Sequence, residues 1–164
     1  MPDLADITKR LDYVGRTARQ RKVRAIDMDY HEDVDSITAL LLTGMGYTVK
    51  RRKLPMGDYQ WDSKLGQVIV ERKTPSDIQD LVRFGRQLEG MRIAAHNGCF
   101  CVLLIDHAAT NKKNRWDDIG FDNLLMAVGG SVKIAHCNQG ELANRLDSLY
   151  QFSQKGEHGF LERN

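Results

Sequence analysis

The sequence predicts an α/β protein in which a mixed β-sheet is flanked by helices. Strand-like and helical patterns of apolar residues alternate along most of the 164 residues, which is typical of this fold class. The segment 100–105 is a continuous apolar run, as expected for a central strand covered on both faces. Two short strand patterns, at 58–61 and 68–73, flank a polar turn and indicate an antiparallel hairpin. A chain of this length forms one domain with a substantial core.

Upstream of this hairpin, the patterns predict helices and strands in alternation. A basic amphipathic helix occupies residues 1–22, and the first strand covers 23–28. A second helix covers 34–45 and is ended by Gly46, and a strand follows at 47–54. The apolar positions expected to face inward are Leu4, Ile7, Leu11 and Val14 in the first helix and Ile37, Leu40 and Leu41 in the second.

Local chemistry predicts that another helix begins immediately after residue 73. Thr74 can cap it, Pro75 suits the first helical position, and Asp77 can reach back as the acid of a capping box. This gives Asp77 a structural role that we weigh ahead of metal binding. The residues expected to face inward are Ile78, Leu81 and Val82.

The remaining patterns complete the domain. A short helix is predicted at 122–128 and a last strand at 132–137. Asn138 caps a final helix, and residues 153–164 are expected to form a flexible tail. The domain proper is therefore 23–152. The apolar face of the final helix consists of Leu142, Leu146, Leu149, Tyr150 and Phe152.

Basic residues are distributed unevenly along the chain. Lys and Arg total 24 against 22 Asp and Glu, a net charge of +2, so no overall basic field indicates nucleic acid. The run Lys50-Arg51-Arg52-Lys53, however, leads directly into the hairpin, which favours a phosphate-contacting role. Because side chains alternate along a strand, we expect either Lys50 with Arg52 or Arg51 with Lys53 to face the ligand.

Cysteine usage and the lack of targeting segments indicate a soluble, intracellular protein. Cys99, Cys101 and Cys137 are expected to be free thiols in a reducing compartment. A zinc site would need a second pair of ligands at suitable spacing. The sequence has neither a signal peptide nor an apolar run of membrane length. We expect it in the cytoplasm or nucleoid of a prokaryotic or phage system, or in a eukaryotic nucleus.

The hairpin carries the residues with the clearest chemical meaning. Asp58 follows Gly57 where a turn becomes a strand, and Glu71 and Lys73 end the next strand on the same side. Such a hairpin can bring Asp58 alongside Glu71, which supplies two hard oxygen ligands for Mg²⁺ or Mn²⁺ next to a cation. Metal-assisted phosphodiester hydrolysis needs this combination. The alternative reading of residues 71–73 alone is a charged, solvated strand end.

Gly57-Asp58, Glu71-Arg72-Lys73 and Asp77 together resemble the signature of XPF-type structure-specific DNA nucleases. These form a branch of the PD-(D/E)xK restriction-endonuclease-like superfamily, so the resemblance implies a restriction-endonuclease-like sheet. It also implies metal ligation by Asp58, Glu71 and the backbone carbonyl of Arg72. Lys73 would position the attacking water, and Asp77 would take the place of the family's downstream acid.

The resemblance extends less clearly to other positions. Asp27 is the candidate for the family's first acid, while Asp29, Glu32 and Asp33 compete for the second. Asp33 falls on that position when no gap is introduced. In the helix after the site, Gly85-Arg86 matches a Gly-Arg of the family, and Arg83 and Arg86 join Lys50–Lys53 as candidate DNA-binding residues.

Taken together, the resemblance implies a metal-dependent endonuclease acting on branched or flap-like DNA without sequence specificity. It also implies a homodimer that pairs through helices such as the final one. The alternative is a catalytically silent DNA-binding or scaffold subunit. Related proteins add a helix-hairpin-helix domain that this sequence lacks, and Met1 with a complete first helix favours a stand-alone protein. Tyr30, Tyr59 and Trp61 could stack on bases or belong to the core.

Overall fold

In the part of the chain that the structure describes, six strands and four α-helices follow one another in the order that the sequence predicts. The computed structural model describes residues 23–31, 35–107 and 118–155. The strands are β1 (Arg24–Asp29), β2 (Tyr47–Arg52), β3 (Tyr59–Ser63), β4 (Gly66–Lys73), β5 (Phe100–Asp106) and β6 (Val132–Cys137). The helices are α1 (Asp35–Gly44), α2 (Leu81–His96), α3 (Asp118–Val128) and α4 (Leu142–Gln154). The helix predicted within residues 1–22 lies outside the described residues.

The strands form one mixed sheet in the order β2-β1-β3-β4-β5-β6. β1 runs parallel to β2, the β3–β4 hairpin is antiparallel, and β4, β5 and β6 are parallel. β1 meets β3 over only two pairs, Asp27 with Gln60 and Met28 with Tyr59. The predicted α/β fold, a mixed sheet flanked by helices, is therefore confirmed.

The core lies on both faces of the sheet because strand side chains alternate between them. On one face, α1 and α4 pack against residues such as Ile26, Tyr59 and Val70. On the other, α2 and α3 pack against residues such as Ile69 and Leu103. We call these the α1/α4 face and the α2/α3 face. None of the helices in the described ranges combines the length and hydrophobicity that crossing a bilayer requires.

The inward face predicted for α1 is wrong. Ile37 and Leu40 expose 68% and 71% of their surface and Leu41 exposes 45%, whereas Thr38 and Leu42 are buried. The helix is thus rotated so that another stripe contacts the sheet. Helical spacing alone could not separate the two stripes, since both contain residues at i and i+4, and docking on the neighbouring strands selects between them.

The helix predicted to begin at Pro75 begins instead at Leu81. The Thr74–Asp77 pairing forms, but it closes a turn that continues into a short 3-10 helix at Asp77–Gln79. Asp80 then caps α2, its carboxylate accepting a hydrogen bond from the Arg83 N–H at 3.0 Å.

The late start also changes which residues of α2 face the core. Leu81 and Val82, predicted to be inward, are exposed, and the buried residues of the helix are Phe84 and Met91. Ile78 is buried as predicted, but from the 3-10 turn.

The final helix extends further than predicted. α4 continues to Gln154, into the segment expected to be a flexible tail. Ser153 is fully buried, and its Oγ accepts a hydrogen bond from Trp61 Nε1 at 2.9 Å. Trp61 and Tyr59 are both buried in the core, so their place is structural and not a platform for bases.

Candidate active site

A glycine in a left-handed conformation allows the turn before β3 to approach β4 closely. Gly57 has φ of +74°, and a Cβ there would lie 2.7 Å from Ile69 Cγ2 and 3.0 Å from the Val70 carbonyl oxygen. Any other residue would be strained and would collide with β4. This approach lets the Asp58 N–H donate to the Val70 carbonyl at 2.8 Å. Gly57 therefore determines how closely Asp58 approaches β4.

Asp58 lies beside Glu71, as the hairpin predicts. Tyr59 pairs with Val70 across the antiparallel ladder, so Asp58 and Glu71 are the next residues outward on the two strands. The Asp58 carboxylate oxygen Oδ2 accepts a hydrogen bond from the Arg72 backbone N–H at 2.7 Å. The side chain is thereby oriented toward the end of β4, where Glu71 and Lys73 lie.

Glu71 and Lys73 form a nearly buried ion pair on the α2/α3 face. Lys73 Nζ lies 2.5 Å from Glu71 Oε1, with only 12% and 9% of the two side chains exposed. A lysine in this position balances the carboxylate charge, and water is largely excluded from the pair. Electrostatic interactions are stronger in such an environment than in bulk solvent.

The Arg72 side chain points to the opposite face of the sheet, since it lies between Glu71 and Lys73 along the strand. Its Nε and Nη2 donate to Asp106 Oδ2 at 2.8 and 2.7 Å. Asp106 ends β5, and sequence analysis missed it. The signal that could have found it is that neighbouring parallel strands end at the same edge of a sheet.

The oxygen atoms gathered here suit a hard divalent cation. In an extended strand the N–H and C=O of one residue point the same way, so the Arg72 carbonyl faces the Asp58 side of β4. Asp58, Glu71 and this carbonyl would be the protein ligands, a small set of the kind with which Mg²⁺ retains several waters. Within the described residues, no group of three or more His, Cys, Asp and Glu is placed to hold a metal ion.

The upstream acids are engaged in other contacts. Asp27 Oδ2 lies 2.5 Å from Arg52 Nη2 in an ion pair. Glu32 and Asp33 lie outside the described residues.

Asp29 holds the loop after β2, because its carboxylate accepts hydrogen bonds from Leu54 N–H at 2.8 Å and His31 N–H at 2.9 Å. Burial alone would raise the pKa of Asp29, but these two N–H donors, together with the charges of His31 and Lys53, leave the pKa below its usual value. The Asp29 N–H in turn donates to the Asp58 carbonyl at 2.9 Å. Asp29 therefore supports the site through the backbone.

The register of β2 separates the basic run into two faces. Asp27 pairs with Lys50 and Asp29 with Arg52, which places Lys50 and Arg52 on the α2/α3 face together with Glu71. Arg51 faces the other way, and its Nη2 donates to the Tyr30 carbonyl at 3.3 Å. The pair that lies on the face of the site is thus Lys50 with Arg52.

A polar cavity of about 380 Å³ adjoins Lys73 at the start of α2. Arg83 and Gln87 line it from successive turns of that helix, whereas Arg86 is exposed outside it. Asp77 also lines it while its Oδ2 accepts hydrogen bonds from the Thr74 N–H and Oγ1, both at 2.8 Å. The remaining lining residues are Arg72, Ser76 and Asp80.

The fold and this arrangement define an α/β domain with an acidic pair and a lysine at the end of a hairpin. A family model described as the ERCC4 domain matches residues 26–142. The chain therefore belongs to the ERCC4 domain family, and its fold is that of an XPF-type nuclease domain.

Solved structures support the same fold. The chain resembles XPF from Aeropyrum pernix with a TM-score of 0.63 at 23% identity, over 82% of this chain and 64% of that one. It resembles XPF from Aeropyrum pernix in complex with DNA with a TM-score of 0.58 at 21% identity, over 79% of this chain and 64% of that one. The chain thus spans less than two thirds of the length of these structures. No curated protein matches it.

Proposed function

We propose that this chain is a metal-dependent endodeoxyribonuclease that hydrolyses phosphodiester bonds in branched or flap-like DNA without sequence specificity. The observation that carries the proposal is the meeting of Asp58, Glu71 and Lys73 at one end of the hairpin, with the lysine 2.5 Å from the glutamate. A module that only binds DNA has no physical need for two adjacent carboxylates and a nearly buried lysine.

Each of these residues has a distinct role in the proposed reaction. Asp58 and Glu71, with the Arg72 carbonyl, would hold Mg²⁺ or Mn²⁺. The ion, when bound, supplies charge that polarises the phosphate and favours deprotonation of water. Lys73 Nζ would orient the attacking water and offset the negative charge that develops on the phosphate oxygens. Asp58 is held for this task by the Arg72 N–H.

Contacts to the DNA backbone would come from basic residues on the face of the site. Lys50 and Arg52 lie on that face, and Arg83 lines the cavity beside Lys73. These groups can neutralise phosphates, and because phosphate contacts carry no sequence information directly, such an interface fits recognition of DNA shape. The structurally similar XPF from Aeropyrum pernix, solved in complex with DNA, supports the same substrate class. A protein acting on cellular DNA would work inside the cell.

We further propose that the domain forms a homodimer through α4. Leu149 and Phe152 of this helix line an open, mostly apolar groove of about 580 Å³, together with Phe100, Val102 and Ala135 of the sheet. Phe152 is partly exposed and packs near Phe100, with ring centroids 6.1 Å apart. A two-fold interface would cover the same groove on both copies.

The test is cleavage of labelled flap, splayed-arm, four-way and linear DNA with Mg²⁺, with Mn²⁺ or with EDTA. Asp58→Asn and Glu71→Gln should each lower the rate by roughly two to four orders of magnitude, the usual cost of a lost catalytic group. Asp62→Asn is the matched control, because this acid is exposed on β3, the strand that follows Asp58.

Three outcomes would contradict the proposal. Cleavage that persists in EDTA would exclude a metal-dependent reaction. Full activity of either Asp58→Asn or Glu71→Gln would exclude this site. Tight binding of branched DNA by the wild-type chain without any cleavage would favour the alternative of a silent DNA-binding or scaffold subunit.

A further inference from the structure

The end of β4 that carries the site projects beyond its antiparallel partner. The last pair in the β3–β4 ladder on this side is Tyr59 with Val70. Glu71, Arg72 and Lys73 are paired on their other side only, with β5. On the side of β3, the backbone of this segment is held instead by the Asp58 side chain, which accepts the Arg72 N–H at 2.7 Å. Residues 71–73 therefore lack ladder pairs on the β3 side, so their orientation depends on contacts made by side chains.

The ion pair between Arg72 and Asp106 supplies an anchor on the opposite face. Both side chains are almost fully buried, with 12% and 5% exposed. Nε and Nη2 of the arginine both donate to Asp106 Oδ2, at 2.8 and 2.7 Å. Two donors on one oxygen fix the guanidinium more firmly than a single contact. Breaking a buried pair of this kind leaves an uncompensated charge, so the geometry is strongly favoured.

We propose that Asp106 is a positioning residue for the metal site and acts through Arg72. The Arg72 peptide group orients the Asp58 carboxylate through its N–H and presents its carbonyl to the same side of β4. Fixing the Arg72 side chain on the α1/α4 face prevents rotation of these backbone groups. Asp106 thus fixes the orientation of the metal ligands, although it lies on the face of the sheet opposite Glu71 and Lys73. This inference rests on the proposed function.

The test measures Mn²⁺ binding by titration calorimetry and, separately, the dependence of cleavage on Mn²⁺ concentration. Asp106→Asn keeps the size of the side chain and removes its charge. We expect Mn²⁺ to bind roughly 10- to 100-fold more weakly, the usual effect of losing a residue that orients metal ligands. Cleavage should recover at saturating Mn²⁺, so the half-saturating concentration changes more than the maximal rate. A protein that is merely destabilised would lose maximal rate without a change in the half-saturating Mn²⁺ concentration.

Asp147→Asn is the matched control. This carboxylate is also on the α1/α4 face and accepts a hydrogen bond from the Tyr47 hydroxyl at 2.5 Å, but Tyr47 begins β2 at the other end of the sheet. The Mn²⁺ affinity of Asp147→Asn should equal that of the wild type. Arg72→Gln removes the other half of the anchor and should weaken Mn²⁺ binding by a factor similar to that of Asp106→Asn. The double variant should bind no more weakly than either single one.

The outcomes separate this inference from the proposed function. Wild-type Mn²⁺ affinity in Asp106→Asn, or additive effects in the double variant, would overturn the role of Asp106 while leaving the nuclease proposal intact. If Asp106→Asn does not fold, the affinity of Arg72→Gln decides in the same way. A wild-type chain that neither binds Mn²⁺ nor cleaves DNA would overturn the proposed function itself, and the role of Asp106 with it.

Discussion

Replacing Gly57 with alanine tests whether the close approach of its turn to β4 determines the site. At φ of +74° an L-residue in this left-handed region costs about 1–2 kcal/mol. The new Cβ would also lie 2.7 Å from Ile69 Cγ2 and 3.0 Å from the Val70 carbonyl oxygen, so one strand must move. Overpacking of this kind costs about 1–3 kcal/mol. We therefore expect Gly57→Ala to lower the free energy of unfolding by about 2–5 kcal/mol.

Gly140→Ala separates the two contributions. Gly140 has φ of +78°, close to that of Gly57, but no heavy atom lies within 4 Å of the position of its Cβ. Its alanine variant should lose only the conformational part, about 1–2 kcal/mol. Urea unfolding of both variants measures the difference. Equal losses would show that the contact between the turn and β4 has no energetic weight.

Gly57→Ala also tests whether the turn determines the position of Asp58 in the site. A shift of the turn displaces Asp58, and a misplacement of about 1 Å can cost on the order of 100-fold in rate. Cleavage should therefore fall sharply in Gly57→Ala under conditions where the protein remains folded, and stay near the wild-type rate in Gly140→Ala. Unimpaired cleavage by a folded Gly57→Ala protein would refute the link between this glycine and the position of Asp58.

Further predictions concern acid stability, DNA contacts and assembly. Because the folded-state pKa of Asp29 is lowered, its stabilisation is present above the unfolded-state pKa and is lost as pH falls through the folded-state value. Asp29→Asn should thus lose about 1.5–3 kcal/mol at pH 7, and the loss should vanish in strong acid, by urea unfolding across pH. Replacing Lys50 and Arg52 with Gln should weaken DNA binding for every sequence and flatten its salt dependence by about 0.9 per lost contact, whereas Arg51→Gln should change little. Phe152→Glu should convert a dimer to a monomer in light scattering.

Controls keep each of these predictions open to contradiction. A difference between wild type and Asp29→Asn that stayed constant from neutral to acid pH would mean that the carboxylate charge is not the source of the stabilisation. Equal and negligible effects of the Lys50/Arg52 and Arg51 changes would mean that residues 50–53 are an ordinary solvated strand without a role in DNA binding. Met126→Glu alters an exposed apolar residue of α3 away from the groove and should leave assembly unchanged. A wild-type mass of 18.7 kDa at all micromolar concentrations would exclude the dimer.

The hairpin could be predicted from sequence because its signals are local. Gly57 and the polar turn between β3 and β4 mark where the chain reverses, and the alternation from Val68 onward places Glu71 and Lys73 on one side. Both features operate within a few residues, so no knowledge of distant contacts is needed. For the same reason, β5 and β6 were predictable from their apolar runs.

What could not be predicted depends on contacts between distant segments. Asp106 meets Arg72 only because β5 lies next to β4, and residues 74–99 separate the two strands in sequence. The face of α1 was misassigned because Leu40 and Leu42 are equally apolar, and only docking on the sheet decides which is buried. Helix α2 begins late because Asp80 caps it, whereas the Thr74–Asp77 contacts close a separate turn, and spacing in the sequence does not decide between the two starts.

The narrow β1–β3 junction has a consequence for how the molecule opens. It contains two residue pairs against five between β3 and β4, so the sheet is least continuous where β1 passes beside Asp58. Native proteins open in cooperative units that separate where contacts are fewest. The unit β1-α1-β2 would then detach as a group, and the amides of Met28 and Asp29 would exchange with solvent hydrogen before those of β4 and β5. The site would thus lie at the boundary between the unit β1-α1-β2 and the rest of the sheet. An intact site would then indicate that these two units are joined.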